Sequence, residues 1–465
     1  MTSIYAFIGP AGSGKTYSLN AKLNELCDGQ EFHYFQRVLA ITFMHGSRKR
    51  LAAKLGKQVG TGIPILCETI DSFCLRLVNR YRTRMQRPKP VAIDNSHNDW
   101  TEGDLCWQTS FSTIRSAMVS LLDDPDVRRS VAAAYPIILI DEFQDCDDDL
   151  LRIAQQLSES STVLVGADDF QNLNSSGDSP AVKWLRSTDC EFVELSGSQR
   201  TDDQRILTSA ISIRQASVAL SAIEVIPRAD KHGGLIAFEI AKRIVWGKLK
   251  KNASRVLITP AGPDSSTWVK GVMKSLGKSL ANGKLPPVPF RWEDSGQDKC
   301  DKAHGIATDF LEADGGCPKH ALQQLAENKD PILRMAGSRS LRLISLRGKP
   351  SIAGDELQKI IELSAHAIGA FGTESSATRH AMTIHGAKNR EFDYVFILWP
   401  YRVPNDPIKK RKLLYNAITR ARLGAFLFVQ GDEKQVKNDE VLKLLECGIV
   451  ADRPRKRAST KKATK

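Results

Sequence analysis

The 465-residue sequence predicts an α/β fold in which two parallel-sheet bodies each carry a short helical insertion. Three observations point there. Short β-branched runs alternate with helical stretches along most of the chain, the pattern of strand-helix-strand units. The runs fall into two groups, one before about residue 205 and one after about residue 250. The hydrophobic content, 42% of residues, is enough to fill two sizeable cores.

The first group comprises Ile4–Ile8, Val38–Phe43, Ile137–Asp141, Val163–Gly166 and Phe192–Leu195. The second comprises Val256–Thr259, Tyr394–Leu398 and Phe426–Val429. Each group is interrupted once by a segment of different composition. Residues 79–133 are rich in Arg, Asp, Trp and Ser, with a helical pattern over Leu105–Leu122. Residues 301–375 carry helical patterns at Ala321–Asn328 and Leu357–Ile368. The Pro-rich stretch 282–297, NGKLPPVPFRWEDSGQ, reads as a linker. The expected division is a first body of 1–78 and 134–205, interrupted by a helical insertion at 79–133. A second body of 206–300 and 376–449 follows, interrupted by a reduced helical insertion at 301–375. A basic, disordered tail at 450–465 ends the chain.

No apolar run approaches the length of a membrane span, and the first residues lack a basic start and signal-peptide core. The expectation is a soluble, cytoplasmic protein with no membrane partner. Nine cysteines without a CxxC pair read as reduced, mostly buried thiols rather than a metal set. The net charge is +13, and the last fifteen residues supply +6 of it, so the body is itself basic. A basic body points to a polyanion, most plainly nucleic acid.

The chemistry begins at Gly9-Pro-Ala-Gly12-Ser-Gly14-Lys15-Thr16, which fits the P-loop pattern GxxxxGK[ST] at every fixed position. It follows a hydrophobic strand and opens a helix, so its N–H groups are placed to cradle phosphates. Lys15 would reach the terminal phosphates of a nucleoside triphosphate, and Thr16 would hold Mg²⁺. Such a site needs a second carboxylate at a strand end, and Ile137–Ile140 runs into Asp141 and Glu142. Asp141 would hold Mg²⁺ through water and Glu142 would polarise the attacking water. Basic residues cluster at Gly46–Arg50, Arg76–Lys89 and Lys409–Lys412, and Arg80–Arg87 interleaves charge with Tyr81, which suits a phosphate-tracking groove.

Asp141-Glu-Phe-Gln-Asp145 resembles the DExQD box of the UvrD/Rep/PcrA-like superfamily 1 DNA helicases, and further motifs of that family stand in its order. Ile41-Thr-Phe-Met-His45 is similar to the TF segment that lies against single-stranded DNA. Glu68-Thr-Ile-Asp-Ser-Phe73 is similar to T-x-H-S-F, with Asp71 where the family has His. Gly166-Ala-Asp-Asp-Phe-Gln171 resembles GDxxQ, and Leu195-Ser-Gly-Ser-Gln-Arg200 resembles L-x-x-N-Y-R. Met382-Thr-Ile-His-Gly-Ala-Lys-Asn-Arg-Glu391-Phe-Asp resembles TxHxAKGLEFD, and Leu413-Leu-Tyr-Asn-Ala-Ile-Thr-Arg420-Ala resembles LLYVAxTRA. The resemblance spans residues 9–421.

The resemblance implies two RecA-like motor domains and an ATP-dependent DNA helicase or translocase using ATP and Mg²⁺. It implies 3′→5′ movement on single-stranded DNA or DNA with a single-stranded tail. Gln171 would sense the γ-phosphate, Arg200 would contact it, Arg420 would be the finger from the second domain, and Glu391 would contact the sugar. Thr42, Phe43, Thr69, Phe73, Thr383 and His385 would lie along DNA. The alternative is a DNA-stimulated ATPase subunit with little unwinding of its own, since compact helicases of this family stand beside a nuclease partner in phage-defence systems such as Gabija.

Four departures qualify these expectations. The eight residues before the P-loop leave no place for the family's adenine-reading Gln, and the aromatic before the motor arginine is Gln199. The base-contacting aromatic after the sensor is absent from Gln171-Asn-Leu-Asn174, so unwinding is expected to be poor. Asn389 replaces a Gly, and Asn is among the few residues that tolerate a left-handed turn. With adenine contacts missing and phosphate contacts present, GTP is expected to be hydrolysed at a rate comparable to ATP. Steady-state hydrolysis of the two at equal concentration checks this, and a GTP rate far below the ATP rate would count against it.

Overall fold

The computed structural model describes residues 3–450 apart from 30, 44–47, 49–50, 54, 56–62, 95–97, 104–105, 174–176, 178, 198, 294–295, 313–314, 371–378 and 404–405. Met44, His45, most of the Gly46–Arg50 cluster, Asn174 and the basic tail from 451 therefore lie outside the described residues.

Two six-stranded sheets organise the chain. The first contains β1 (Ile4–Ile8), β2 (Val38–Thr42), β3 (Ile65–Thr69), and, beyond the three short strands β4 (Val91–Ile93), β5 (Thr101–Glu102) and β6 (Trp107–Thr109), β7 (Ile137–Ile140), β8 (Thr162–Ala167) and β9 (Glu191–Glu194). Its order is β3-β2-β7-β8-β1-β9, with every pairing parallel. The strands read as near-continuous apolar runs because helices cover both faces. On β1, Ala6 and Ile8 join one core while Phe7 joins the other, the two-residue alternation of a pleated strand.

The second sheet contains β10 (Glu224–Arg228), β11 (Arg255–Thr259), β12 (Arg291–Trp292), and, after the separate antiparallel pair β13 (Gly316–Pro318) and β14 (Ser351–Ala353), β15 (Arg379–Thr383), β16 (Phe392–Trp399) and β17 (Ala421–Gln430). Its order is β10-β17-β16-β11-β15-β12, again all parallel. Val256 and Ile258 face one core and Leu257 the other.

Three expectations change. The stretch read as a helix over Leu105–Leu122 is helical only from Phe111, where Ser110 caps it, and Trp107–Thr109 joins a three-stranded sheet instead. The segment at 79–133 is thus mixed rather than helical. The Pro-rich stretch 282–297 is not a linker: Leu285, Val288 and Phe290 are buried in the second core and β12 pairs with β15. Residues 301–375 hold helices at Lys319–Ala326, Pro331–Arg347 and Gly354–Ala370 beside the antiparallel pair β13–β14, around a core of their own. The described cysteines are all free, and no described helix is long and apolar enough to cross a membrane.

The two bodies are joined through buried contacts. Ala11 and Leu173 of the first body pack into a core built mainly by the second. Lys388 Nζ reaches both carboxylate oxygens of Asp145 at 2.6 Å, with both side chains largely buried. Burial lifts the Asp145 carboxyl from 3.8 to about 6, against the pull of Lys388. The folded state therefore holds a proton between about pH 4 and 6 that the unfolded chain has released, and the stability assigned to Asp145 falls as pH rises through that window. Lys388→Met should leave this carboxylate buried without its cation, costing about 3–5 kcal/mol at pH 8. At pH 5, where the carboxyl is protonated, the loss should be much smaller; urea unfolding that shows equal losses at both pH values would contradict this account.

Candidate active site

In parallel sheets the binding crevice lies beyond the carboxyl ends of the strands. β1, β7, β8 and β9 deliver the P-loop, Asp141, Asp168 and Leu195 to that edge. From the second body, Glu391 immediately precedes β16 and Arg420 immediately precedes β17. The carboxyl edge of one sheet therefore meets the amino ends of two strands of the other.

The P-loop is shaped by close approach. Gly9 N donates to Ala167 O at 3.1 Å, and a Cβ on Gly9 would lie 2.6 Å from Ser13 Oγ and 2.7 Å from Leu195 O. Gly14, at φ 91°, adopts the left-handed conformation that starts the helix Lys15–Cys27. That helix start has no side-chain cap, so its first N–H groups are left for an anion. Ser13 Oγ is buried with no hydrogen-bond partner, and Lys15 Nζ donates to Gly9 O and Pro10 O, both at 2.9 Å. An orphaned hydroxyl and an ammonium resting on backbone carbonyls fit a triphosphate that would supply better acceptors. Thr16, in the first turn of that helix, and Asp141, after β7, are the residues that could hold Mg²⁺ with it.

Asp141 Oδ1 accepts from Glu142 N at 3.1 Å, and Glu142 sits at φ 60°, a strained setting for a non-glycine residue. Its carboxylate accepts from Gln144 Nε2 at 2.6 Å, while Gln144 Oε1 accepts from Asp168 N at 2.9 Å. Gln144 thus fixes the orientation of Glu142 and ties it to the loop that carries Gln171.

Arg420 is 2% exposed. Its Nε donates to Asn416 O at 3.0 Å and Nη2 to Gln171 Oε1 at 3.2 Å. Burial, followed by the nearby Arg200, pushes its guanidinium down to about 10, still charged at neutral pH. Arg200 donates to Thr419 O at 2.8 Å and pairs with Glu391 at 3.0 Å; Glu391 also accepts from Arg422. Glu142, Gln171, Arg200, Glu391 and Arg420 are thus brought to the seam beside the P-loop. Asn389 takes φ 61°, the left-handed turn expected of it.

The candidate DNA residues divide. Thr42 and Thr69 are register neighbours at the carboxyl ends of β2 and β3, but both are buried. Thr69 Oγ1 caps the helix Ile70–Arg80 by accepting from Ser72 N at 3.2 Å. Phe43 is half-buried. Phe73 is 0% exposed and packs edge-on against Tyr135, so it is a core residue and no stacking platform for a base. Its position on the inner face of an amphipathic helix decides this. Thr383 Oγ1 accepts from Gly386 N at 3.1 Å. His385 stands at the surface, and partial desolvation of its ring, followed by Lys388 and Lys409, lowers its pKa.

Much of the Arg76–Lys89 cluster is engaged internally. Arg76 pairs with Glu68, Arg84 with Asp124, and Arg87 lies 4.1 Å over the Trp100 ring. Asp71 accepts from Arg115 Nε at 2.8 Å, and Arg115 also pairs with Asp147, so the residue that departs from the motif fastens the helix Phe111–Leu122 to the first body.

Sequence reading overlooked Tyr17, Gln144, Asp168, Arg214 and Tyr415. Tyr17 follows Thr16 and leaves 68% of its surface exposed, an aromatic face beside the cradle that could stack on any base. Gln144, Asp168 and Tyr415 are buried and Arg214 is half-buried, and apart from the Gln144–Glu142 and Asp168–Phe170 bonds their partners are far away in sequence. Arg420→Lys keeps a charge but not the fork that reaches Gln171 and Asn416. It is expected to lower triphosphate turnover by about 100-fold or more, with ADP affinity changed less than threefold; stopped-flow binding beside steady-state hydrolysis separates the two.

Comparison with known families agrees with this geometry. A model described as an AAA domain matches residues 1–177, and one described as a UvrD-like helicase C-terminal domain matches residues 379–428. A search of curated proteins returned no match.

Proposed function

From a chain that belongs to the UvrD/Rep-like superfamily 1 helicases, ATP-dependent enzymes, we propose a motor that couples ATP hydrolysis to 3′→5′ movement along single-stranded DNA. The observation that carries this reading is the contact of Gln171 from one body with Arg420 from the other, beside the P-loop that carries Lys15. Arg420 Nη2 touches Gln171 Oε1 at 3.2 Å across the seam.

Bound ATP with Mg²⁺ would supply the phosphoryl group and its metal. Phosphoryl transfer needs charge stabilisation and positioning more than covalent help. Lys15 and the helix amides would hold the phosphates, Thr16 and Asp141 would hold the metal, and Glu142, oriented by Gln144, would accept the proton of the attacking water. Arg420 brings positive charge from the second body to meet Arg200 of the first, so hydrolysis depends on how closely the bodies approach. Thr383, His385 and half-buried Phe43 are the remaining side chains suited to a nucleic-acid backbone or base. Domain limits near 78, 134, 205, 300 and 375 belong to the same reading.

The alternative, a DNA-stimulated ATPase that serves a nuclease partner, is favoured by the missing aromatic after Gln171. Strand displacement by the isolated chain separates the two: vigorous unwinding removes the alternative, and hydrolysis without unwinding supports it. For the site itself, Lys15→Ala should reduce hydrolysis stimulated by single-stranded DNA to background. Full residual activity would refute the assignment. Single-stranded RNA in place of DNA should stimulate less, and binding should weaken steeply with salt as phosphate contacts release counterions.

A further inference from the structure

A buried hydroxyl, Tyr415 Oη, stands where three functional segments meet. It accepts from Ala11 N of the P-loop at 2.9 Å and donates to Asp168 Oδ2 at 3.1 Å. Tyr415 is 1% exposed and Asp168 0% exposed, so neither bond competes with water. Arg214 Nη1 donates to Asp168 Oδ1 at 2.6 Å, fixing the carboxylate from its other side, and Phe170 N donates to the same oxygen. The Tyr415 ring packs edge-on against Phe170, 5.1 Å between centroids. Burial and the negative charge of Asp168 push the phenol upward, which keeps its proton available for donation.

The placement has a mechanical reading. Tyr415 lies on the helix Pro407–Ile418, and Arg420 follows that helix directly. Asp168 and Gln171 bracket the short turn after β8. Tyr415–Asp168 and Arg420–Gln171 therefore form two rungs between the same helix and the same loop, and the Tyr415 hydroxyl extends the first rung to the P-loop backbone. We infer that Tyr415 is a positioning residue, whose hydroxyl sets the distance of Arg420 from the phosphate cradle and makes the cradle and the second body move together. Ala11 N is a backbone donor within the phosphate-binding loop, so this hydroxyl fixes the loop before any nucleotide arrives. The inference rests on the reading that this cleft hydrolyses triphosphate.

Tyr415→Phe keeps the ring and removes only the shared oxygen. Hydrolysis at saturating single-stranded DNA should fall about 10- to 100-fold in kcat, the range a misplacement near 1 Å produces. KM for ATP and affinity for ADP should change less than threefold. Asp168→Asn must present its NH₂ to either Tyr415 or Arg214, so it should lower kcat in the same direction; it carries the test alone if Tyr415→Phe does not fold. The double variant should fall no further than the worse single, as expected for groups acting as one unit. A Tyr415→Phe enzyme with kcat within twofold of the parent, or losses that multiply in the double variant, overturns the positioning role while leaving the motor reading intact. A parent protein that binds single-stranded DNA yet hydrolyses nothing overturns both.

Discussion

An arginine taken out of water must have its charge and donors met inside the protein, or the fold loses several kcal/mol. Arg420, 2% exposed at the seam between two sheets, imposes that condition on both bodies. Its partners are Asn416 O from its own helix and Gln171 Oε1 from the opposite loop. Arg200 lies near enough to disfavour its charge, while Glu142 and Glu391 favour it. Opening the seam would strip the Gln171 contact, and bringing in a triphosphate would replace it with a stronger acceptor. The closed arrangement of the bodies and the chemistry proposed for them follow from the same buried charge.

The parallel sheets explain why these groups converge at all. Each strand ends at the same edge, so one sheet presents the P-loop, Asp141 and Asp168 together although more than a hundred residues separate the P-loop from the two carboxylates. The second sheet approaches with the amino ends of β16 and β17. The first body thus contributes the P-loop, Asp141, Asp168 and Arg200, and the second contributes Glu391 and Arg420. Neither half is complete alone.

The strands that line the site were legible in the sequence because burial on both faces leaves uninterrupted runs such as Ile137–Ile140. Those that were missed had reasons. β10 contains Pro227, which argues against an interior strand, and β10 is an edge strand, where a proline is tolerated. β12 is two residues within a Pro-rich stretch and also lies at an edge. Motif spacing located the candidate phosphate and metal groups, since these are set by local loop geometry. It failed for Phe73, because a motif does not say which face of its helix is buried. Nor could it find Tyr415 or Asp168, whose roles exist only once residues 11, 168, 214 and 415 have been folded together.

The segment between β12 and β15 closes a core of its own, from Cys300 and Ala303 through Leu322, Leu333 and Ile361 to Ala365. A unit that satisfies its own apolar faces draws little support from the sheets beneath it and gives little back. Its sequence is free to drift, lengthen or be exchanged during evolution without disturbing the seam. Changes inside this segment and changes at the seam therefore act on separate cores within one polypeptide.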